Sequence, residues 1–287
     1  MFHNKLFRFR NFNQYSIQEL NNKTLWFSDV DSFNDPFEFR YIVNDEPPRL
    51  KSEQYEFLKI TEQESLEFNG LTRAQQSQRM NDYNQNLSLL PEAMLLDYTR
   101  ERLADLIENN VNQLVSSTST KVCCLSKKCD DPLMWAHYTD GMTGFAIIYN
   151  ELTTKDGKSV PALNVNYVED IPVIDYKVLN IRGLDDGIKL STAIFASKHH
   201  RWKYENEIRL FSSTEHSYDV MNNVKLRDGG IMDLPNNAIY GVIIGFKMPK
   251  DNIQLLKDIC RIHEYKLFIA EPSSKKYTVE ISSLNFD

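Results

Sequence analysis

Residues 122–138 read VCCLSKKCDDPLMWAHY, and FAIIY follows at 145–149. Val122 to Ser126 is β-rich in type, 131–138 suits a short helix, and 145–149 returns to a buried-type strand. Strand, loop, helix and strand therefore follow in tight succession. Ser126 falls at the end of the first strand, where backbone curvature can aim a hydroxyl into a site.

The same texture extends to the C-terminal side. β-type runs recur at 165–168, 208–211, 240–246, 267–270 and 277–281, and helices fit 185–200 and 251–263. On the N-terminal side, 6–9 and 24–28 are β-type runs with a helix at 16–21 between them. Asn34-Asp35-Pro36 has turn chemistry: Asn and Asp bond their own backbone, and Pro fixes φ. Between these zones, 46–120 is rich in Gln, Asn, Glu, Leu and Arg and poor in β-branched residues, which favours helix. Leu96, Leu103, Ile107, Val111 and Leu114 recur at helical period there. Pro91 suits the start of that helix. Two β-rich zones flanking a helical stretch predict an α+β class with a mixed sheet. The expected organisation is a single domain over 1–287, with 47–120 as a helical insertion or cap.

Composition supports a globular chain. Of 287 residues, 41% are hydrophobic and 25% charged, with only 10 Gly and 10 Pro, which excludes disordered and fibrous classes. The formal charge of −7 argues against general coating of nucleic acid, while leaving a local basic groove open. No apolar run is long enough to span a membrane, and the N-terminus lacks the pattern of a signal peptide. A cytoplasmic location is the expectation. Cys124, Cys129 and His137 lack zinc-site spacing, and no second Cys pair follows, so no metal is expected. The cysteines read as small buried hydrophobes.

Three segments carry charged or polar residues in patterns that chemistry could use. The first, WKYENEIRLF at 202–211, would place Glu205, Glu207 and Arg209 on one face of a strand and Ile208 and Leu210 on the other. Such a row lines a cleft or forms the solvated face of an edge strand. Paired carboxylates raise one another's pKa, and Arg209 would offset that. On that picture Glu207→Gln leaves the melting temperature within a few degrees, an exposed charge contributing at most about 1 kcal/mol. In the second segment, Trp135 and Tyr138 share a helical face and would be core or pocket lining. Ser126 has no nucleophile elbow around it. In the third, LFRFR at 6–10, Arg8 and Arg10 share one face and Phe7 and Phe9 the other. Paired guanidiniums suit a phosphate or carboxylate. A nucleic-acid platform fits less well, because stacking rings should lie on the face that carries the cations.

Together these segments resemble a mostly bacterial family known only as domain of unknown function 2971. The resemblance rests on Phe7-Arg-Phe, Leu25-Trp-Phe-Ser, Phe33-Asn-Asp-Pro-Phe-Glu38, Cys124-Leu-Ser, Met134-Trp-Ala-His-Tyr, Gly144-Phe, Lys198 and Trp202-x-Tyr-Glu-x-Glu-x-Arg209. Some relatives are associated with abortive-infection phage defence. The chain also resembles the Arg–Ser–Glu form of the ADP-ribosyltransferase superfamily: an early-strand arginine (Arg8 or Arg10), a strand-ending serine (Ser126) and Glu205-x-Glu207 occur in that order. Lys127 follows Ser126 where that class carries a Ser-Thr-Ser triplet. The second resemblance implies an ADP-ribosyltransferase-like sheet and cleavage of a nicotinamide dinucleotide, NAD, and with the first it implies a phage-defence or toxin-type protein. Glu207, Glu205 and Ser126 would be catalytic, and Arg8, Arg10, Trp135, Tyr138 and Arg209 would hold the dinucleotide. The acceptor stays open among a protein, a nucleic acid and water, as does an immunity or regulatory partner. The alternative is a non-catalytic sensor of a phage component or nucleotide signal.

Overall fold

The computed structural model describes residues 2–33, 35–68, 70–112, 120–179, 184–212 and 224–286. Asn34 of the expected turn, and Leu114 at the end of the helical stripe, lie outside the described residues. The class is α+β with a mixed sheet. Backbone proximity divides the chain into two units. One comprises Met1–Glu38, Ser119–Tyr167 and Lys198–Asp287, and the other Phe39–Thr118 and Val168–Ser197. The helical stretch is thus grouped with 168–197, a segment that composition did not connect to it.

In the first unit the strands are β1 (Leu6–Arg10), β2 (Thr24–Trp26), β3 (Ser28–Asp29), β4 (Lys121–Ser126), β5 (Phe145–Tyr149), β6 (Ala162–Asn164), β7 (Glu207–Ser212), β8 (Ile231–Asp233), β9 (Ile239–Gly245), β10 (Lys266–Pro272) and β11 (Val279–Ser283). The large sheet runs β11-β10-β9-β5-β1-β4-β7-β6, and β3 pairs with β4. Among the described residues its pairings are antiparallel except β9 with β10, whose parallel crossover is a helix. The interior strand β5, FAIIY, is buried along its whole length. Such continuous apolar runs mark strands covered on both faces.

Period-two alternation divides the core. Cys123, Leu125, Phe145, Ile147, Val242 and Ile244 form one face with Leu20 and with Leu256 and Ile259. These belong to helices α1 (Gln14–Asn22) and, late in the chain, Lys250–His263. Phe7, Phe9, Ala146, Ile148 and Phe268 form the other face, packed with Met134 and Trp135 of the short helix Pro132–Tyr138.

One feature of this sheet creates the site. β1 meets β4 at a single register position, Phe7↔Ser126, while β3 takes the far end of β4 at Ser28↔Val122. The two strands therefore splay apart from that point, Arg8 to Arg10 leaving β4 as it runs back from Ser126 toward Val122. Gly144 fixes the other side of β1, since a Cβ there would lie 2.2 Å from the Arg10 carbonyl oxygen.

The second unit contains α2 (Lys51–Phe68), α3 (Arg73–Leu89) and α4 (Glu92–Leu106), the last continuing as a π-helical turn, Ile107–Asn112. Thr72 and Gln75 form a capping box that opens α3. The buried face of α4 is Leu95, Thr99 and Leu103; of the expected stripe, Leu103 and Val111 are buried, and Leu95 takes the inward place expected of Leu96. A short parallel pair, Ile42–Val43 with Val173–Ile174, completes this unit together with Tyr176–Leu179 and Leu184–Phe195. The helix expected over 185–200 stops at Phe195. There the Ser197 hydroxyl bonds the Thr192 carbonyl (3.1 Å), a side-chain bond that competes with further helix. Among the described residues no helix is long and apolar enough to cross a membrane.

Candidate functional site

The gap between β1 and β4 opens a cavity of about 200 Å³. It is lined from β1 by Arg8, Phe9 and Arg10, from β4 by Cys124 and Ser126, and by Glu205, Glu207, Tyr138, Glu38 and Lys198.

Glu207 and Arg209 project from the same face of β7, while Leu210 and the half-buried Ile208 join the opposite core. Glu205 does not belong to that strand. It ends a 3-10 turn, His200–Glu205, and Asn206 follows in the left-handed region at φ 48°, which Asn tolerates better than most residues. The carboxylates of Glu205 and Glu207 nevertheless converge on one ammonium. Lys198 Nζ lies 2.7 Å from Glu205 Oε2, 3.5 Å from Glu207 Oε2 and 2.9 Å from Glu38 Oε1. Arg209 Nε donates to Glu207 Oε1 (2.9 Å), and its Nη2 reaches Glu38 Oε2. Tyr138 Oη donates to Glu205 Oε1 (2.5 Å). The Tyr167 hydroxyl accepts the Glu207 backbone N–H (2.8 Å).

None of these charges forms a solvated row. Glu205, Glu207 and Arg209 are 3%, 6% and 0% exposed, and this corrects the mild effect expected of Glu207→Gln. Breaking a buried ion pair typically costs about 3–5 kcal/mol, because the remaining charge is left uncompensated.

Burial and neighbours drive the two carboxyls in opposite directions. Burial raises the pKa of Glu205, and the adjacent Glu207 adds to the rise, against Lys198. Burial alone would raise Glu207 too. Arg209 and Lys198, with hydrogen bonds from Arg209 and Cys124, overcome it and hold Glu207 at about 2. For Lys198 the same burial is outweighed by Glu207, Glu38 and Glu205, so its ammonium form is favoured. Separated proton affinities in adjacent carboxyls are what acid–base division of labour requires.

Ser126 pairs with Glu207 in register, but its hydroxyl lies 2.6 Å from the Glu205 carbonyl oxygen and accepts the Lys128 N–H. It fixes the Glu205 turn and does not touch the Glu207 carboxylate, as the serine of an oriented Ser–Glu pair would. Across the cavity, Arg8 spends its guanidinium on Glu19 (2.6 Å), the Trp26 carbonyl (2.9 Å) and Cys123 Sγ (3.2 Å). Arg10 shares Glu19, yet its Nε is buried with no hydrogen-bond partner among the described residues. Tyr138 lines the cavity. Trp135, grouped with it as a ring for the dinucleotide, is fully buried. It packs edge-on against Phe9 and donates to the Cys129 carbonyl (2.7 Å), so it serves the core. Arg209 is likewise beneath the cavity wall, holding Glu207 and Glu38 in place.

Glu38, Lys198 and Tyr167 received no role from sequence. Lys198 follows the apolar stretch Ile194-Phe-Ala196, and a lysine in such a context is a signal of a buried, paired ammonium. Glu38 follows the Asp-Pro turn, and only the fold brings it to Arg209.

A family model described as a protein of unknown function (DUF2971) matches residues 134–210. That span holds Tyr138, Tyr167, Lys198, Glu205, Glu207 and Arg209, while Arg8, Arg10, Glu38 and Ser126 lie before it. No curated protein and no solved structure matches the chain. Over the stretch that supplies most of the charged cluster, the chain is therefore similar to a family whose members share sequence but no assigned chemistry.

Proposed function

We propose that the chain cleaves the nicotinamide–ribose bond of NAD, acting as an ADP-ribosyltransferase or NAD glycohydrolase in a phage-defence or toxin role. The observation that carries this proposal is the Glu205–Glu207 pair: two buried carboxyls on one lysine, with proton affinities driven apart. Bond cleavage develops positive charge on the ribose, an oxocarbenium-like state. Glu207, ionised at neutral pH and buried, offsets that charge more strongly than it would in water. Glu205, with its raised proton affinity and its Tyr138 contact, takes the proton from water or another acceptor. Ser126 positions the Glu205 turn. Arg10 keeps a donor for the diphosphate, its Nε, whereas Arg8 is committed to Glu19, the Trp26 carbonyl and Cys123. The cavity accepts the reacting ring and sugar; at about 200 Å³ it is smaller than pockets that enclose a whole drug-sized ligand.

The test is nicotinamide release from NAD by the wild-type chain, compared with Glu205→Gln and Glu207→Gln at matched folded fraction. Release that falls by about 10²–10³ in each variant is expected. No release from wild type, with no thermal shift on adding NAD, overturns the proposal.

A second possibility is a binding module for a phage component or nucleotide signal. It is favoured by the engagement of both Glu207 oxygens by Arg209 and Lys198. Ligand stabilisation that persists in Glu205→Gln without any product would select it.

A further inference from the structure

The rim near Glu205 carries an arrangement that the cleavage chemistry does not use. Arg201, Trp202, Lys203 and Tyr204 follow one another in the His200–Glu205 turn. The Trp202 and Tyr204 ring centroids are 6.0 Å apart at 38°, and Tyr204 and His137 are 6.2 Å apart at 37°. Three rings on two elements thus form a continuous row. Lys198 Nζ lies 4.7 Å from the Trp202 ring centroid. The loop after β4 joins this rim through Lys127 N–H to the Asn206 carbonyl (3.0 Å). It adds Lys127 and Lys128. All four of Lys127, Lys128, Arg201 and Lys203 are exposed, and among the described residues none forms an ion pair. The same loop carries two carboxylates, the exposed Asp130 and Asp131, whose side chain caps Pro132–Tyr138 by accepting the Leu133 N–H (2.8 Å), so the four cations outnumber them two to one.

Rings and cations on the same short turn are what the Leu6–Arg10 strand lacks, its aromatics and arginines facing opposite ways. A strand of nucleic acid with unstacked bases offers both a phosphate for each cation and a planar face for each ring. A duplex hides those faces, and an acidic peptide supplies charge without planar bases. We propose that this rim binds single-stranded nucleic acid, with Lys127, Lys128, Arg201 and Lys203 on the phosphates and bases stacked on Trp202 and Tyr204. The binding does not depend on NAD cleavage and can be tested without it.

The experiment is fluorescence anisotropy of the full chain with a labelled mixed-sequence oligodeoxynucleotide, the matching oligoribonucleotide and the corresponding duplex, over a salt series. Four phosphate contacts give a slope of about −3 in log K against log salt, or about fifty-fold weaker binding at 200 than at 50 mM. Lys127→Gln with Lys128→Gln should halve that slope. Trp202→Leu, which keeps apolar bulk but removes the ring, should weaken single-strand binding about 5- to 150-fold. The tighter of the two single strands identifies the sugar that the rim prefers. Absence of single-strand binding at 50 mM salt, equal affinity for the duplex, or an unchanged affinity and slope in the lysine double variant overturns the proposal. Because the lysines are exposed, that variant remains informative even where Trp202→Leu fails to fold. Binding that survives Glu207→Gln while nicotinamide release is never seen leaves this surface standing and removes only the catalytic proposal.

Discussion

Two charge clusters line the gap between the splayed strands, one from each face of the sheet, and they are built on opposite terms. On the β1 side, Glu19 is shared by Arg8 and Arg10, one carboxylate against two guanidiniums. On the β7 side, Glu38, Glu205 and Glu207 share Lys198 and Arg209, three carboxylates against two cations. The first has a surplus of positive charge that arginine cannot shed by losing a proton. The second has a surplus of negative charge on carboxyls, which can be relieved by protonating one of them. Burial raises the proton affinity of Glu205, while Arg209 and Lys198 keep Glu207 ionised. A cavity lined by a fixed cationic cluster and by a titratable anionic one has groups to hold an anion and groups to exchange a proton.

The largest expected effect comes from stripping the anionic side of a cation. Arg209→Leu leaves Glu38 and Glu207 with Lys198 alone and should cost about 3–5 kcal/mol, visible as a large fall in the melting temperature. Glu19→Gln is the matching change on the cationic wall. It retains an acceptor for Arg8, and Arg10 can turn toward water, its side chain being 27% exposed. Its cost should be smaller than that of Arg209→Leu in the same thermal scan; an equal or larger cost would erase the asymmetry between the walls.

Stability against pH separates the two carboxyls themselves. Glu207 is held at about 2, below its ordinary 4.5. Its contribution is fully present above about 4.5 and is lost as pH falls from there toward 2. Glu205 runs the other way: its proton is bound more tightly in the folded state, so its ionisation lowers stability as pH rises above the ordinary carboxylate range. In urea titrations across pH, Glu207→Gln should flatten the acid limb. Glu205→Gln should flatten the opposing slope, and at pH 8 it should be the mildest of these changes, equal to wild type or slightly more stable. A marked loss in Glu205→Gln at pH 8 would show that its ionised form is favoured in the fold.

How much of this was legible in the sequence depends on the range of the interaction. Glu207, Arg209, Ile208 and Leu210 divide between faces as their alternation predicts, because period two is a local property of a strand. Glu205 breaks the pattern, since Asn206 turns the chain at φ 48° before the strand begins. The burial of the charges was not legible at all. Glu38 and Arg209 are 171 positions apart, and a carboxylate far along the chain cannot be assigned as a partner without the topology. Arg8 looked like a free ligand for phosphate until α1 brought Glu19 beneath it. In α4 the stripe held at Leu103 and, beyond the helix, at Val111, but its first member was one residue out because Leu95 and Leu96 are both apolar, and only packing decides which of them faces inward.

The opposed proton affinities of Glu205 and Glu207 can be read directly by carbon-13 NMR of the glutamate carboxyls, titrated from pH 2 to 9. Resonances are assigned by their disappearance in Glu205→Gln and Glu207→Gln. The expected result is one buried carboxyl that stays ionised to near pH 2 and vanishes in Glu207→Gln, and a second that titrates above the ordinary range and vanishes in Glu205→Gln. Two carboxyls titrating together in the ordinary range, or the reverse assignment, would contradict the division of labour on which the catalytic proposal rests.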